Sequence, residues 1–241
     1  MAASPLIERV RGLCPAISVG ILTADMMSLG SEVRLLEQAG VQMLHFDVMD
    51  GGFCPMMTFG PPFIKGIKTS LIKDVHLMVR DPLEKLDAFV AAGADMITAH
   101  LEGCLHPHRL MQALGQMTNA NNAGHGILRG IAINPGTPVE AVEPLLGELD
   151  VVTLLAVNPG WGGQKFIKTT PARMEKLLGL IRRSKRDILM GVDGGITRDN
   201  VDEAVKMGAD IIVTGSAIFD GKDAAGNARQ MLATVAAVHR G

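Results

Sequence analysis

The sequence predicts an α/β protein folded as a closed (β/α)8 barrel, and three observations predict it. Eight short apolar, β-rich runs recur along the 241 residues. They lack clean polar alternation, as strands covered on both faces of a parallel sheet do. Helical stretches with start signals separate most of them, and three strand entries share one glycine-led pattern. An open doubly wound sheet is the competing architecture, and the absence of GxGxxG after the first run weighs against it.

In chain order the runs are CPAISVGIL (14–22), QMLHFDVM (42–49), DVHLMV (74–79), MITAHLE (96–102), LRGIAIN (128–134), VVTLLAV (151–157), ILMGVD (188–193) and IIVTGSAIF (211–219). Between the third and fourth, Asp81-Pro82-Leu83-Glu84 reads as an N-cap, a proline at the first helical position and a carboxylate three residues after the cap. Thr137-Pro138-Val139-Glu140 repeats that grammar, and Thr170-Pro171 begins the same way. QAGVQML, AAGADMI and KMGADII each place a glycine where a helix ends left-handed before a buried strand. TNANNAGHG (118–126) reads as the least ordered stretch. No linker or break in composition divides the chain, so residues 1–241 are expected to form one domain.

Composition narrows the function classes. A hydrophobic content of 47% against 20% charged residues is ample for a large core. A net charge of −2 and the scarcity of aromatic residues, with no tyrosine and one tryptophan, argue against a nucleic-acid or anionic-membrane partner. Cys14, Cys54 and Cys104 are odd in number and unpaired in spacing, as in a reduced cytoplasmic protein. No run is long enough to span a bilayer, and MAASPLIERVRG has charges where a signal peptide needs apolar residues. A cytoplasmic globule is expected.

The polar residues inside the strands carry the chemistry. His45 and Asp47 are two apart in an apolar run, so both project to one face. In a barrel of this kind, functional groups sit at the C-terminal ends of strands. His45 and Asp47 close the second strand, His76 lies in the third and Asp193 closes the seventh. Two imidazoles and two carboxylates form a plausible set for one divalent metal. NPGWGGQKF (158–166), DGGI (193–196) and TGSAIF (214–219) follow the sixth, seventh and eighth strands. Small residues there let backbone N–H groups approach a phosphate closely. The expected ligand is small, phosphorylated at one end and metal-bound at the other. CLHPHR (104–109) reads as an ordinary loop-to-helix entry and RRSKR (182–186) as a helix end whose cations complement the dipole.

HFDVMDGGF, TFGPP, DVHLMV, NPGTPVEAV, VNPGWGGQKF, VDGGI and GSAIF, in this order, resemble the ribulose-phosphate 3-epimerase family from about Ala16 to Phe219. The resemblance implies a TIM barrel and metal-dependent inversion at C3 of a ketose phosphate. It implies His45, Asp47, His76 and Asp193 as ligands of one divalent ion (zinc, iron, manganese or cobalt), with Asp47 and Asp193 also as the acid/base pair. Gly160, Trp161, Gly162 and Gly163, with Gly194, Gly195, Gly215 and Ser216, would hold the phosphate, and His76 would also face the substrate. A homo-oligomer is implied as well. D-Ribulose 5-phosphate and D-xylulose 5-phosphate are the default pair. The alternatives are another ketose phosphate such as D-allulose 6-phosphate, or a non-catalytic sugar-phosphate-binding homologue. A related barrel decarboxylase is disfavoured because no D-x-K-x-x-D motif is present. The chain departs from the family pattern at Gly20, where a serine is usual, at Gly52 and Met56, where polar side chains are usual, and at Leu155, where methionine is usual.

Overall fold

The computed structural model describes residues 5–240, so the part of the N-terminal reading that rests on residues 1–4 lies outside the described residues. Eight strands form a closed parallel barrel in sequence order: β1 (Ala16–Gly20), β2 (Met43–Met49), β3 (Ile72–Met78), β4 (Met96–His100), β5 (Leu128–Ile133), β6 (Val151–Leu155), β7 (Leu189–Asp193) and β8 (Ile211–Thr214). β8 pairs back onto β1, so no edge remains open. The helices are α1 (Pro5–Arg11), α2 (Leu29–Ala39), α3 (Pro61–Gly66), α4 (Leu86–Ala91), α5 (Pro107–Gly115), α6 (Thr170–Ser184), α7 (Val201–Lys206) and α8 (Ala224–Arg240). Among the described residues, no helix is long and apolar enough to cross a membrane.

Strand alternation divides the apolar residues between two cores. Outward positions such as Val19, Leu44, Phe46, Val75, Leu77, Ile97, Leu154 and Ile212 pack against the helices. Inward positions at the N-terminal end, Met43, Ile72, Met96, Leu128, Val151, Leu189 and Ile211, are closed off by Leu6, Ile7 and Val10 of α1. Each such side chain contributes about 1.5–3 kcal/mol by leaving water. Above this plug the interior turns polar: Ser18, His45, Asp74, Thr98 and Thr153 are all buried.

The three glycine-led strand entries are as expected, with Gly40, Gly93 and Gly208 at φ of 95°, 91° and 87°. The capping expectations are corrected. Asp81 sits at φ 43° and donates its N–H to Gly103 O at 2.8 Å, so it makes a turn between neighbouring loops instead of a cap. Only a 3-10 turn at Leu83–Lys85 precedes α4 there. Thr137 gives its hydroxyl to Glu102 instead of a helix terminus. The connection it opens, Val139–Leu145, is a 3-10 helix with Pro144 inside it; proline lacks the N–H an α-helix needs. Thr170 is the first residue of α6 and makes no side-chain cap. The loop 118–126 is also better tied than its composition suggests. Buried Asn119 donates to Asp95 Oδ1 at 2.7 Å and accepts from the N–H of Asn121 at 2.7 Å. Pro107 opens α5 and Arg182 and Arg183 end α6, as read.

Inside the barrel, two glycines make room for threonines. A Cβ on Gly191 would lie 2.6 Å from Thr153 Oγ1, and one on Gly130 would lie 2.9 Å from Thr98 Cβ. Both clashes are with buried, strand-fixed atoms. Gly130→Ala should therefore destabilise the fold by about 1–3 kcal/mol in urea denaturation, and adding Thr98→Ala should recover most of the loss.

Candidate active site and metal centre

β2 carries Leu44, Phe46 and Val48 outward, which turns His45 and Asp47 into the barrel. Pairing with β3 sets His45 beside Asp74 and Asp47 beside His76. Asp193 arrives from the C-terminal end of β7. One ligand-type atom from each of His45, Asp47, His76 and Asp193 lies within 4.8 Å of all the others. Asp47 Oδ1 is 3.3 Å from both His45 Nε2 and His76 Nδ1, and Asp193 Oδ2 is 3.4 Å from His76 Nδ1 and 3.9 Å from His45 Nε2.

The groups outside this cluster orient it. His45 Nδ1 lies 2.7 Å from Asp74 Oδ2, which also accepts the Ser18 hydroxyl at 2.8 Å. His76 Nε2 lies 2.9 Å from His100 Nε2, and His100 Nδ1 is 3.3 Å from Glu102 Oε2. Phe53 packs on the His100 ring at 4.6 Å. Thr58 gives its hydroxyl to the Asp47 carbonyl at 2.6 Å, fastening the following loop to β2.

Burial acts against charge on His45, Asp47, His76, His100 and Glu102, and their partners decide the outcome. For His45 the desolvation is outweighed by the Asp74 and Asp47 carboxylates, which hold its pKa well above the usual imidazole value. Asp47 is lowered despite burial because His45 and His76 face it. His76 is raised against burial by hydrogen bonds to Asp193 and Asp47. In His100 burial prevails over the Glu102 bond and pushes the pKa down to about 4, which keeps the ring neutral. Glu102 is held at about 2 against burial by bonds from His100, Thr137 and the Asn134 N–H.

Do these four residues fit a metal? His45 Nε2 is a buried nitrogen that makes no hydrogen bond, although it points between two carboxylates. A buried polar atom without a partner is costly, and a cation at the centre of the four would satisfy it. The two-nitrogen, two-carboxylate donor set suits a divalent transition ion. The residues fit.

Above the cluster opens a cavity of about 230 Å³. Asp47 and Asp193 line it, with Met49, Met78, Gly160, Trp161, Gly162, Gly163, Gly194, Gly195, Gly215 and Ser216. His45 and His76 lie behind that lining, at 3% and 1% exposure, so His76 faces the carboxylates and not the open cavity. The glycine loops divide by physical role. A Cβ on Gly160, Gly194 or Gly195 would strike Cys54, Val157 or Phe166 from positive φ, whereas Gly162 and Gly163 have nothing within 4 Å of that direction. Of the four departures from the family pattern, Gly20 and Leu155 line the cavity. Met56 packs beside Met49, Cys54 and Met78, and Gly52 turns towards Arg80 and Asp50 instead.

Sequence reasoning missed Asp74, Ser18, Glu102 and Thr137. Asp74 was within reach, since it is two residues before His76 and therefore shares its face.

The chain is similar over most of its length to known proteins. The model of the ribulose-phosphate 3 epimerase family matches residues 16–219. The ribulose-phosphate 3-epimerase of Bacillus subtilis is 37% identical over 210 residues, covering 86% of this chain and 93% of its own. That of Rhodobacter capsulatus is 42% identical over 209 residues, covering 85% of this chain and 86% of its own. Among solved structures, 3-hexulose-6-phosphate synthase from Salmonella typhimurium superposes with a TM-score of 0.66 at 20% identity, over 93% of this chain and 100% of its own, a likeness of fold. The chain thus belongs to the ribulose-phosphate 3-epimerase family and is an epimerase acting on a sugar phosphate.

Proposed function

We propose that the protein is a metal-dependent 3-epimerase interconverting D-ribulose 5-phosphate and D-xylulose 5-phosphate, with Asp47 and Asp193 as its two proton-transfer groups. One observation carries this reading. Two carboxylates and two imidazoles share a cluster at the floor of a cavity whose rim is three glycine-rich loops. The cavity, at about 230 Å³, is below the roughly 300–1,000 Å³ of drug-sized sites and suits a small phosphorylated ketose.

Inversion beside a carbonyl requires a proton to leave one face of a carbon and another to reach the opposite face. One aspartate takes the proton as the C3–H bond breaks, and the electron pair moves into an enediolate. The other, as a carboxylic acid, returns a proton to the opposite face. No oxidant or reductant is needed. Asp47 Oδ1 and Asp193 Oδ2 are the oxygens that face the imidazoles, so Asp47 Oδ2 and Asp193 Oδ1 would be left for proton transfer. His45, Asp47, His76 and Asp193 would hold one zinc, ferrous, manganese or cobalt ion. When bound, the ion supplies stabilisation for negative charge on the carbonyl and neighbouring hydroxyl oxygens. Gly160, Trp161, Gly162, Gly163, Gly194, Gly195, Gly215 and Ser216 bind the phosphate through backbone N–H groups, and so fix the distance from phosphate to C3. Met49 and Met78 form an apolar, polarisable wall beside the reacting end. This reading includes a single domain over residues 1–241 and a cytoplasmic homo-oligomer, in keeping with three free cysteines.

A second reading keeps the chemistry and changes the ketose. Gly20 and Leu155, both in the cavity wall, remove a hydroxyl and a thioether that relatives with the usual pattern would present. Loss of a hydrogen-bonding group shifts substrate choice when its former partner is left unpaired.

Asp47→Asn and Asp193→Asn should each abolish solvent-deuterium incorporation at C3, with kcat falling by about 10²–10⁴-fold while substrate still binds. Exchange surviving in both variants would show that the aspartates are not the proton carriers, and a wild-type protein that binds but never exchanges would be the non-catalytic homologue. Gly162 faces open space, so Gly162→Asp should fold normally and raise KM for the phosphorylated ketose by about tenfold or more through like-charge repulsion, with kcat less affected. A panel containing D-ribulose 5-phosphate and D-allulose 6-phosphate decides between the two substrate readings. A kcat/KM ratio favouring the six-carbon ketose would select the second, and Gly20→Ser should then move that ratio back, since its Cβ meets Gly215 only at 3.7 Å.

A further inference from the structure

We propose that Glu102 is a positioning residue that fixes the protonation pattern of His76 from two hydrogen bonds away, keeping His76 Nδ1 free as a metal ligand. The proposal rests on the metal reading above and goes beyond it to a residue that touches neither metal nor substrate.

The argument follows donors and acceptors along one chain of contacts. Glu102 lies in the 3-10 turn that follows β4. Its Oε1 accepts the Asn134 N–H at 2.8 Å and the Thr137 hydroxyl. Its Oε2 faces His100 Nδ1 at 3.3 Å. A carboxylate has only lone pairs to offer, so the proton between these two must sit on His100 Nδ1. That assignment leaves a lone pair on His100 Nε2, which is 2.9 Å from His76 Nε2. Two ring nitrogens at this distance need one donor and one acceptor, so His76 Nε2 carries a hydrogen and donates it. The remaining nitrogen, His76 Nδ1, is then the one that can give up any hydrogen it shares with Asp47 and Asp193, at 3.3 and 3.4 Å, and turn its lone pair to a cation. Reversing the chain would put a hydrogen on Nδ1, pointing into the metal position.

The two histidines are thus set by different carboxylates. Asp74 acts on His45 directly, at 2.7 Å. Glu102 acts on His76 through His100, whose ring is fully buried and held by Phe53. Glu102 sits in the turn after β4 with its side chain 23% exposed, so its charge is not fully buried as that of Asp74 is.

Glu102→Gln tests this with almost no change of shape. The Oε1 position faces two donors, so the amide oxygen stays there and the amide NH2 turns to His100 Nδ1. His100 must then accept at Nδ1 and carry its hydrogen on Nε2, and the chain reverses. Two measurements read the outcome at neutral pH. Nitrogen-15 NMR of the metal-free protein should place the His100 proton on Nδ1 in the wild type and on Nε2 in Glu102→Gln. Chelator competition with zinc should show affinity weakened by about 10–100-fold in Glu102→Gln. Thr137→Val keeps the carboxylate an acceptor and should leave both readouts near wild type. A wild-type His100 protonated on Nε2, an unmoved proton in Glu102→Gln, or an equal loss of zinc affinity in both variants would overturn the proposal. A wild type that takes up no zinc at all defeats the metal reading instead, and the His100 proton position still decides the role of Glu102.

Discussion

The rest of the site depends on one constraint: four ionisable side chains must bring their ligand atoms within 4.8 Å of one another at the mouth of a buried barrel. Each would be expensive there alone, because desolvation of a single ion costs far more than one contact returns. The arrangement works because signs alternate around the cluster. Asp47 faces both imidazoles, His76 faces both carboxylates, and His45 is shared between Asp47 and Asp74. His45 Nε2 is a fully buried atom that this mutual compensation leaves without a hydrogen bond. Charge balance and ligand geometry therefore point to the same central position.

The barrel converts that local cluster into a site with two ends. Alternation along β2 and β3 directs the polar residues inward while Leu44, Phe46, Val75 and Leu77 hold the same strands against the helices. The charged end is built on strands, the most rigid part of the fold, and the end proposed to hold the phosphate on loops. α1 and the apolar inner layer close the opposite mouth, so the interior polar groups see solvent from one side only. Water reaches the aspartates through the cavity, and the imidazoles behind them are shielded.

Much of this was legible in the sequence, and the rest was hidden for identifiable reasons. The eight strands were readable because parallel strands buried on both faces leave continuous apolar runs. His45 and Asp47 were readable as partners because strand periodicity is strict. Interactions between distant segments were not readable. Thr137 and Asp81 looked like helix caps because capping is local grammar, but tertiary contacts with Glu102 and Gly103 recruited them instead. Pro144 replaced an α-helix with a 3-10 segment after β5. Asn119 gives no sign in the sequence that it anchors its loop to Asp95. Gly52 departs from the family pattern next to site residues, yet the direction of its Cβ, which only the structure gives, leads to Arg80 and Asp50.

The glycines of the rim are where fold and chemistry cannot be separated. Asp193 is followed at once by Gly194 and Gly195, at φ of 102° and 69°. A side chain on either would collide with the loop after β6, at Val157 or at the Phe166 backbone. The two loops therefore interlock, and Asp193 O accepts the Ala156 N–H at 2.7 Å while Asn200 Nδ2 holds Gly195 O at 3.0 Å. The backbone turn that would grip a phosphate is thus continuous with the residue that would move a proton, with no hinge between them. Grip on a group remote from the reacting carbon then acts directly on the placement of the carboxylate. This is the structural form of using binding at a non-reacting end to orient the reacting one. Gly162 and Gly163, free of such packing, are the rim positions where contact with the anion can vary without shifting Asp193.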